Sequence, residues 1–119
     1  MKSPNYIAER RHELEKYHYL RKANRDDHWF DFSLRKVRNY LSRYGDGFCL
    51  VVFSDERNTA WVMPFSEVKD LFCDRYIDSG RRWVGDIKQD IIQVRHGAPP
   101  LNGKRYHNAL DLLRPTPKK

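Results

Sequence analysis

An α+β fold, with a small antiparallel sheet of about four strands and helices packed on it, is the class this sequence predicts. Three observations predict it. Residues 48–53 (FCLVVF) and 59–65 (TAWVMPF) are continuous apolar, β-branched and aromatic runs separated by a short polar turn, the pattern of a hairpin covered on both faces. Residues 81–87 (RRWVGDI) and 90–96 (DIIQVRH) form a second such pair, divided by little more than Lys88 and Gln89. Segments with apolar residues at helical spacing precede, separate and follow the two pairs, so the expected order is ααββαββα.

Along the chain, Ser3 is placed to cap a first helix and Pro4 to occupy its first position. That helix is expected to run to about residue 24, with Ile7, Leu14, Tyr17 and Leu20 as a thin apolar stripe in a charged surface. So narrow a face covers little core, and residues 1–24 read as loosely attached to the rest. After an aromatic connector, Ser33 caps a second helix from Leu34 to Tyr44. Phe32 and Val37 are spaced as a hydrophobic staple, and Gly45 stands where the chain must turn left-handed. Then come the first strand pair, a helix over 67–76 capped by Ser66, the second strand pair, a loop over 97–103, a short closing helix over 106–113 and a basic tail, 114–119.

A chain of 119 residues is read as a single domain, 1–119. Leu, Ile, Val and Phe number 28, enough for a core without staples. No run approaches a membrane span, so no membrane partner is expected. The N-terminus lacks the apolar stretch of a secretory signal. Cys49 and Cys73 sit in apolar segments and read as buried free thiols, which points to a reducing cytoplasm. The five histidines show no ligand pairing; neither a metal site nor any cofactor is expected.

The net charge of +7 is unevenly spread. Residues 1–44 hold 11 basic and 6 acidic side chains, residues 45–97 hold 7 and 9, and residues 98–119 hold 5 and 1. Basic surface is therefore concentrated towards the two ends of the chain. On the second helix, at about 100° per residue, Leu34, Val37, Tyr40, Leu41 and Tyr44 fall within an arc of about 120°. Arg35, Lys36, Arg38, Asn39, Ser42 and Arg43 occupy the opposite arc, and the helix has no carboxylate. A solvated helix face usually mixes signs, because opposite charges four residues apart support it. An unmixed face of arginine, lysine, asparagine and serine suits phosphates and base edges.

Two short patterns invite an enzymatic reading. Asp55 with Glu67-Val68-Lys69 resembles the acidic and Glu-x-Lys elements of the PD-(D/E)xK nucleases, which imply a magnesium-dependent cut. There the Glu and Lys share one side of a strand, whereas a helical first turn would splay Glu67 and Lys69 by about 200°. His107 and Asn108, with His96 upstream, resemble the histidine and asparagine of the small ββα-metal nucleases. A polar helix start followed by core leucines accounts for that segment more simply.

The sequence is accordingly read as a non-catalytic domain binding nucleic acid, duplex DNA in preference to single strands. Arg35, Arg38, Asn39 and Arg43 carry the contact, with Lys36, Lys104 and Arg105 at its margin. Duplex is favoured because one exposed helix matches the major groove. Tyr17 and Tyr19 are the rings expected to be exposed, too few for a stacking platform. The alternative is a protein-interaction module that dimerises through residues 4–24. A small metal-dependent nuclease, or an accessory domain of a restriction-type system, is the third reading.

Overall fold

The structure is a computed structural model that describes residues 5–23, 28–54 and 59–113. Among the described residues the helices are α1 (Asn5–Glu9), α2 (Arg11–Leu14), α3 (Leu34–Tyr44) and α4 (Phe65–Val68). The strands are β1 (Tyr19–Lys22), β2 (Phe30–Ser33), β3 (Cys49–Ser54), β4 (Thr59–Pro64), β5 (Arg82–Lys88), β6 (Ile91–Val94) and β7 (Leu101–Asn102). Short 3-10 turns lie at Asp74–Tyr76, Lys104–Tyr106 and Leu110–Leu112.

The α+β class is as expected, but the single four-stranded sheet and the order ααββαββα are not. Two sheets form, one in the order β1-β3-β4 and one in the order β2-β5-β6-β7. β3 and β4 pair antiparallel as the expected hairpin, with Val51 opposite Val62. β5 and β6 pair likewise, with Ile87 opposite Ile92. The difference lies in segments expected to be helix or connector. β1 pairs parallel to β3, Tyr19 facing Leu50, so the first sheet is mixed. β2 joins the other sheet antiparallel to β5.

The first sheet is buried on both faces, which explains the unbroken apolar character of β3. Leu50, Val52, Trp61, Met63 and Tyr19 turn towards the second sheet. There they meet Phe30, Phe32, Trp83, Ile87, Ile92 and Val94 in the main core. Val51, Phe53, Ala60, Val62 and Leu20 face the opposite way. That outer face is closed by Ile7 and Leu14 from the N-terminal helices and by Leu110 and Leu113 near the C-terminus.

This overturns the reading of residues 1–24 as one loosely held helix. Ile7 and Leu14 are 0% and 4% exposed, and Leu20 is 2% exposed. The stripe is narrow because the surface it seals, one face of a three-stranded sheet, is narrow too. Its apolar residues are already used within the chain.

The expected helix over 67–76 also differs. α4 is a single turn that starts at Phe65, with no side-chain cap from Ser66. Cys73 is extended (φ −129°, ψ 172°). Its carbonyl accepts from Trp83 Nε1 at 2.8 Å, a tertiary bond that replaces the next helical turn. The expected closing helix over 106–113 is likewise reduced to 3-10 turns, and the expected loop over 97–103 contains β7. The tail 114–119 lies outside the described residues. No helix among the described residues is long and apolar enough to cross a membrane. Cys49 is buried as expected, Cys73 is only half-buried, and no disulfide joins them.

Candidate nucleic-acid interface

α3 forms where its local signals place it. Ser33 is extended, and its hydroxyl accepts the Lys36 N–H at 3.4 Å. Phe32 and Val37, the expected staple pair, both belong to the main core. At the other end Gly45 has φ 61° and its N–H donates to the Leu41 carbonyl at 2.8 Å. Between the caps only Val37 is fully buried. Leu34, Tyr40 and Leu41 pack partly against the core.

Two tyrosines fix the helix laterally. Tyr40 Oη donates to the Glu15 carbonyl, and Tyr44 Oη donates to the Lys16 carbonyl at 2.7 Å. These carbonyls follow α2, where a helix leaves acceptors unsatisfied. Tyr40 also stacks between Tyr19 and Phe48, with ring centroids 5.8 and 5.3 Å away. Burial, then the nearby Glu15 charge, pushes the Tyr40 phenol up to about 12. Burial also raises Tyr19. Both phenols are therefore neutral at ordinary pH. Tyr19 is buried and Tyr17 half-buried against Tyr44, so neither is the exposed ring expected of it.

The opposite face is open. Arg35, Lys36, Arg38, Asn39, Ser42 and Arg43 are all exposed. Among the described residues none of the four cations has an ion-pair partner, a condition shared with Lys69, Arg75, Arg81, Lys88, Arg95 and Lys104, while five arginines are paired. Arg10 pairs with Glu13, Arg11 with Glu15, Arg21 and Arg82 with Asp31, and Arg105 with Glu67. On one flank Lys36, Asn39 and Arg43 border a cleft of about 200 Å³ whose other walls are Glu15, Tyr19 and Tyr40. The Lys36 ammonium lies 5.6 Å from the centroid of the Tyr19 ring.

Lys104 and Arg105 are not part of this surface. α3 packs on β1 and β2, which are edge strands of the two sheets. Lys104 and Arg105 follow β7, the far edge of the second sheet, and their turn packs on β4, the far edge of the first. Arg105 is moreover paired with Glu67 and lies 4.9 Å from the Tyr106 ring centroid. The same Glu67 oxygen accepts from Tyr106 Oη at 2.8 Å.

The residues that resemble nuclease motifs are dispersed. Glu67 is engaged as described, Lys69 is exposed beyond α4, and Asp55 lies outside the described residues. His96 is exposed in the turn after β6 with φ 73°. His107 instead stacks on Trp61, its Nε2 2.6 Å from Thr59 Oγ1. Asn108 Oδ1 accepts the Ala60 N–H at 2.9 Å. Together they pin the C-terminal segment to β4. Among the described residues no three His, Cys, Asp or Glu side chains are gathered as a metal ion needs.

Comparison with known protein families, curated proteins and solved structures gives no match. The chemistry of α3 has to speak for itself.

Two features of the site escape the sequence. The tyrosine-walled cleft needs β1 beside α3, which only the fold supplies. Arg81, whose carbonyl accepts the Leu34 N–H at 3.0 Å, stands at the start of α3 although 47 residues separate the two in sequence. The only local sign of it is the polar turn DSGRR.

Proposed function

We propose that the chain is a non-catalytic nucleic-acid-binding domain that lays α3 against duplex DNA. The observation carrying this is the concentration of charge: four exposed cations, without ion-pair partners among the described residues, on one 11-residue helix that has no carboxylate of its own. An 11-residue helix is about 16 Å long, and a helix of ordinary diameter enters a major groove about 12 Å wide. Arg35, Asn39 and Ser42 then occupy the middle of the outward arc, where base edges are reached, and Arg38 lies at one edge of it. Lys36 and Arg43 sit on the flank, where phosphates are. A cytoplasmic setting suits Cys49 and Cys73, which share no disulfide. Dimerisation through residues 4–24 gains no support, because Ile7, Leu14 and Leu20 are buried within the chain.

The test is a salt series of duplex binding by the wild type and by a variant carrying Arg35→Gln, Arg38→Gln and Arg43→Gln. Glutamine keeps helix propensity and removes charge. Each lost phosphate contact lowers the slope of log affinity against log salt by roughly 0.9, so the triple variant should flatten it by up to about 2.7. Circular dichroism confirms that α3 persists. A folded triple variant with unchanged affinity and slope would sink the proposal. A single-stranded competitor displacing duplex at equal concentration would reverse the preference.

A further inference from the structure

We infer that Arg81 is a second-site phosphate contact of the same surface, presented by the turn 78–82 to the duplex backbone beside the first turn of α3; this rests on the reading of α3 given above. Three observations meet at this residue.

The first is conformation. Arg81 has φ 57°, in the left-handed region that residues with a Cβ avoid. The turn that imposes it is fully wired through Asp78. Its carboxylate accepts the Gly80 N–H at 2.8 Å, its carbonyl accepts the Arg81 N–H at 3.0 Å, and its own N–H donates to the Arg82 carbonyl at 3.0 Å. Positive φ recurs at Gln89, Asp90, His96 and Asn108, so it is a property of the turn; its consequence here is that the exposed Arg81 side chain leaves the surface from a fixed point.

The second is position. The Arg81 carbonyl accepts the N–H of Leu34, one residue from Arg35. Ser33, the cap of α3, pairs with Arg82 across β2 and β5. The turn and the helix start are thus one rigid corner.

The third is charge. Arg82 is neutralised by Asp31 at 3.0 Å and approached by Asp78 at 3.4 Å, and Asp31 also takes Arg21. Two carboxylates therefore balance Arg21 and Arg82. Among the described residues Arg81 has no ion-pair partner. Its charge is the excess of the corner among the described residues and adds to the row of Arg35, Lys36, Arg38 and Arg43. When a helix lies in the major groove, a corner beyond its first turn stands over a groove wall, where the negative groups are phosphates. The ligand is the backbone and not a base edge.

Arg81→Gln, Arg81→Gly and Arg81→Lys, made in the full chain, test this on duplexes of two unrelated sequences. The Gln and Gly variants should each flatten the salt slope by roughly 0.9, equally for both sequences. Going from 200 to 50 mM salt, their affinity should then rise about 3.5-fold less than that of the wild type. Arg81→Lys should keep the slope. The Gly variant suits the backbone, and a urea midpoint equal to or above that of the wild type shows that the turn is intact. If the α3 triple variant flattens the slope while Arg81→Gln and Arg81→Gly do not, Arg81 is no contact and only this inference falls. If none of the variants changes the slope, the reading of α3 falls and this inference with it.

Discussion

Cutting back Leu14 tests whether the N-terminal segment is part of the core. Leu14 is 4% exposed and packs with Ile7, Leu20, Val51, Phe53 and Val62 on the outer face of the first sheet. Leu→Ala at a buried site costs about 2–5 kcal/mol, the cavity adding to the lost transfer energy. α2 is one turn long and can settle partly into the space, so the lower half, about 2–3 kcal/mol, is expected for Leu14→Ala and for Ile7→Ala. Deleting residues 1–18 removes both side chains. It also removes His18 Nδ1, which accepts the Cys49 N–H at 3.0 Å, and the carbonyls that hold Tyr40 and Tyr44. An unmet buried donor adds about 1–3 kcal/mol. The sum is comparable with the whole stability of an ordinary domain, about 5–15 kcal/mol, so the truncated chain should fail to fold. Urea denaturation followed by tryptophan fluorescence measures each effect. With m of about 1–3 kcal/mol/M, the Leu14→Ala midpoint should fall by roughly 1–2 M at unchanged m. His12→Ala, on the exposed side of α2, should move stability by less than about 0.5 kcal/mol. A Leu14→Ala midpoint equal to that of the wild type, or a cooperative transition in the truncated chain, would show that the outer face needs no cover.

Gly85→Ala should destabilise by more than an ordinary surface change, at least about 2 kcal/mol, because its Cβ would press on the Gln93 carbonyl and come 2.8 Å from Phe30 Cζ; thermal unfolding by circular dichroism reads it. Tyr40 ties stability to alkaline pH. Between pH 10 and about 12 the unfolded phenol is ionised while the folded one keeps its proton, so the unfolded state binds fewer protons and stability falls as pH rises. Urea midpoints at pH 9 and 11 should show that fall, and Tyr40→Phe should make it shallower; an equal fall in both proteins would remove Tyr40 as its source. Lys104→Gln with Arg105→Gln should leave the salt slope of duplex binding within about 0.3 of the wild type, since these residues stand at the far edges of both sheets; a loss near 1.8 would mean that the duplex reaches across them.

What the sequence discloses and what it hides divide by range. α3 is legible because Ser33, Phe32 with Val37, the apolar arc and Gly45 all act within 14 residues. The β3–β4 hairpin is legible because both strands are apolar on both faces. β1 is not, since Ile7, Leu14, Tyr17 and Leu20 fit a helical stripe, and only pairing with β3, Tyr19 against Leu50, makes Tyr19–Lys22 a strand. β2 carried a short alternation in Phe30-Asp31-Phe32, too brief to tell from a connector. The helix expected over 67–76 stops early because the Trp83 indole takes the Cys73 carbonyl, a competitor ten residues on. The site follows the same rule: the basic residues of α3 are local and were visible, whereas Arg81 and the Tyr19–Tyr40 cleft exist only because strands from elsewhere meet the helix.

Those long-range contacts also bear on the role proposed for the basic face. A row of like charges weakens a helix that stands alone. Here α3 is held at its start by the Arg81 carbonyl, along its length by Val37, and at its end by Tyr40 and Tyr44 on the chain after α2. The fold thereby meets the cost of keeping on one face four cations that have no ion-pair partner among the described residues. A partner that supplies the negative charge then has no helix to order, and its binding free energy is reduced only by the side chains it immobilises. A face meant merely to be solvated would gain from a glutamate at Asn39, four residues after Arg35. The chain places an amide there, while Asp31 pairs with Arg21 and Arg82 and Glu67 with Arg105.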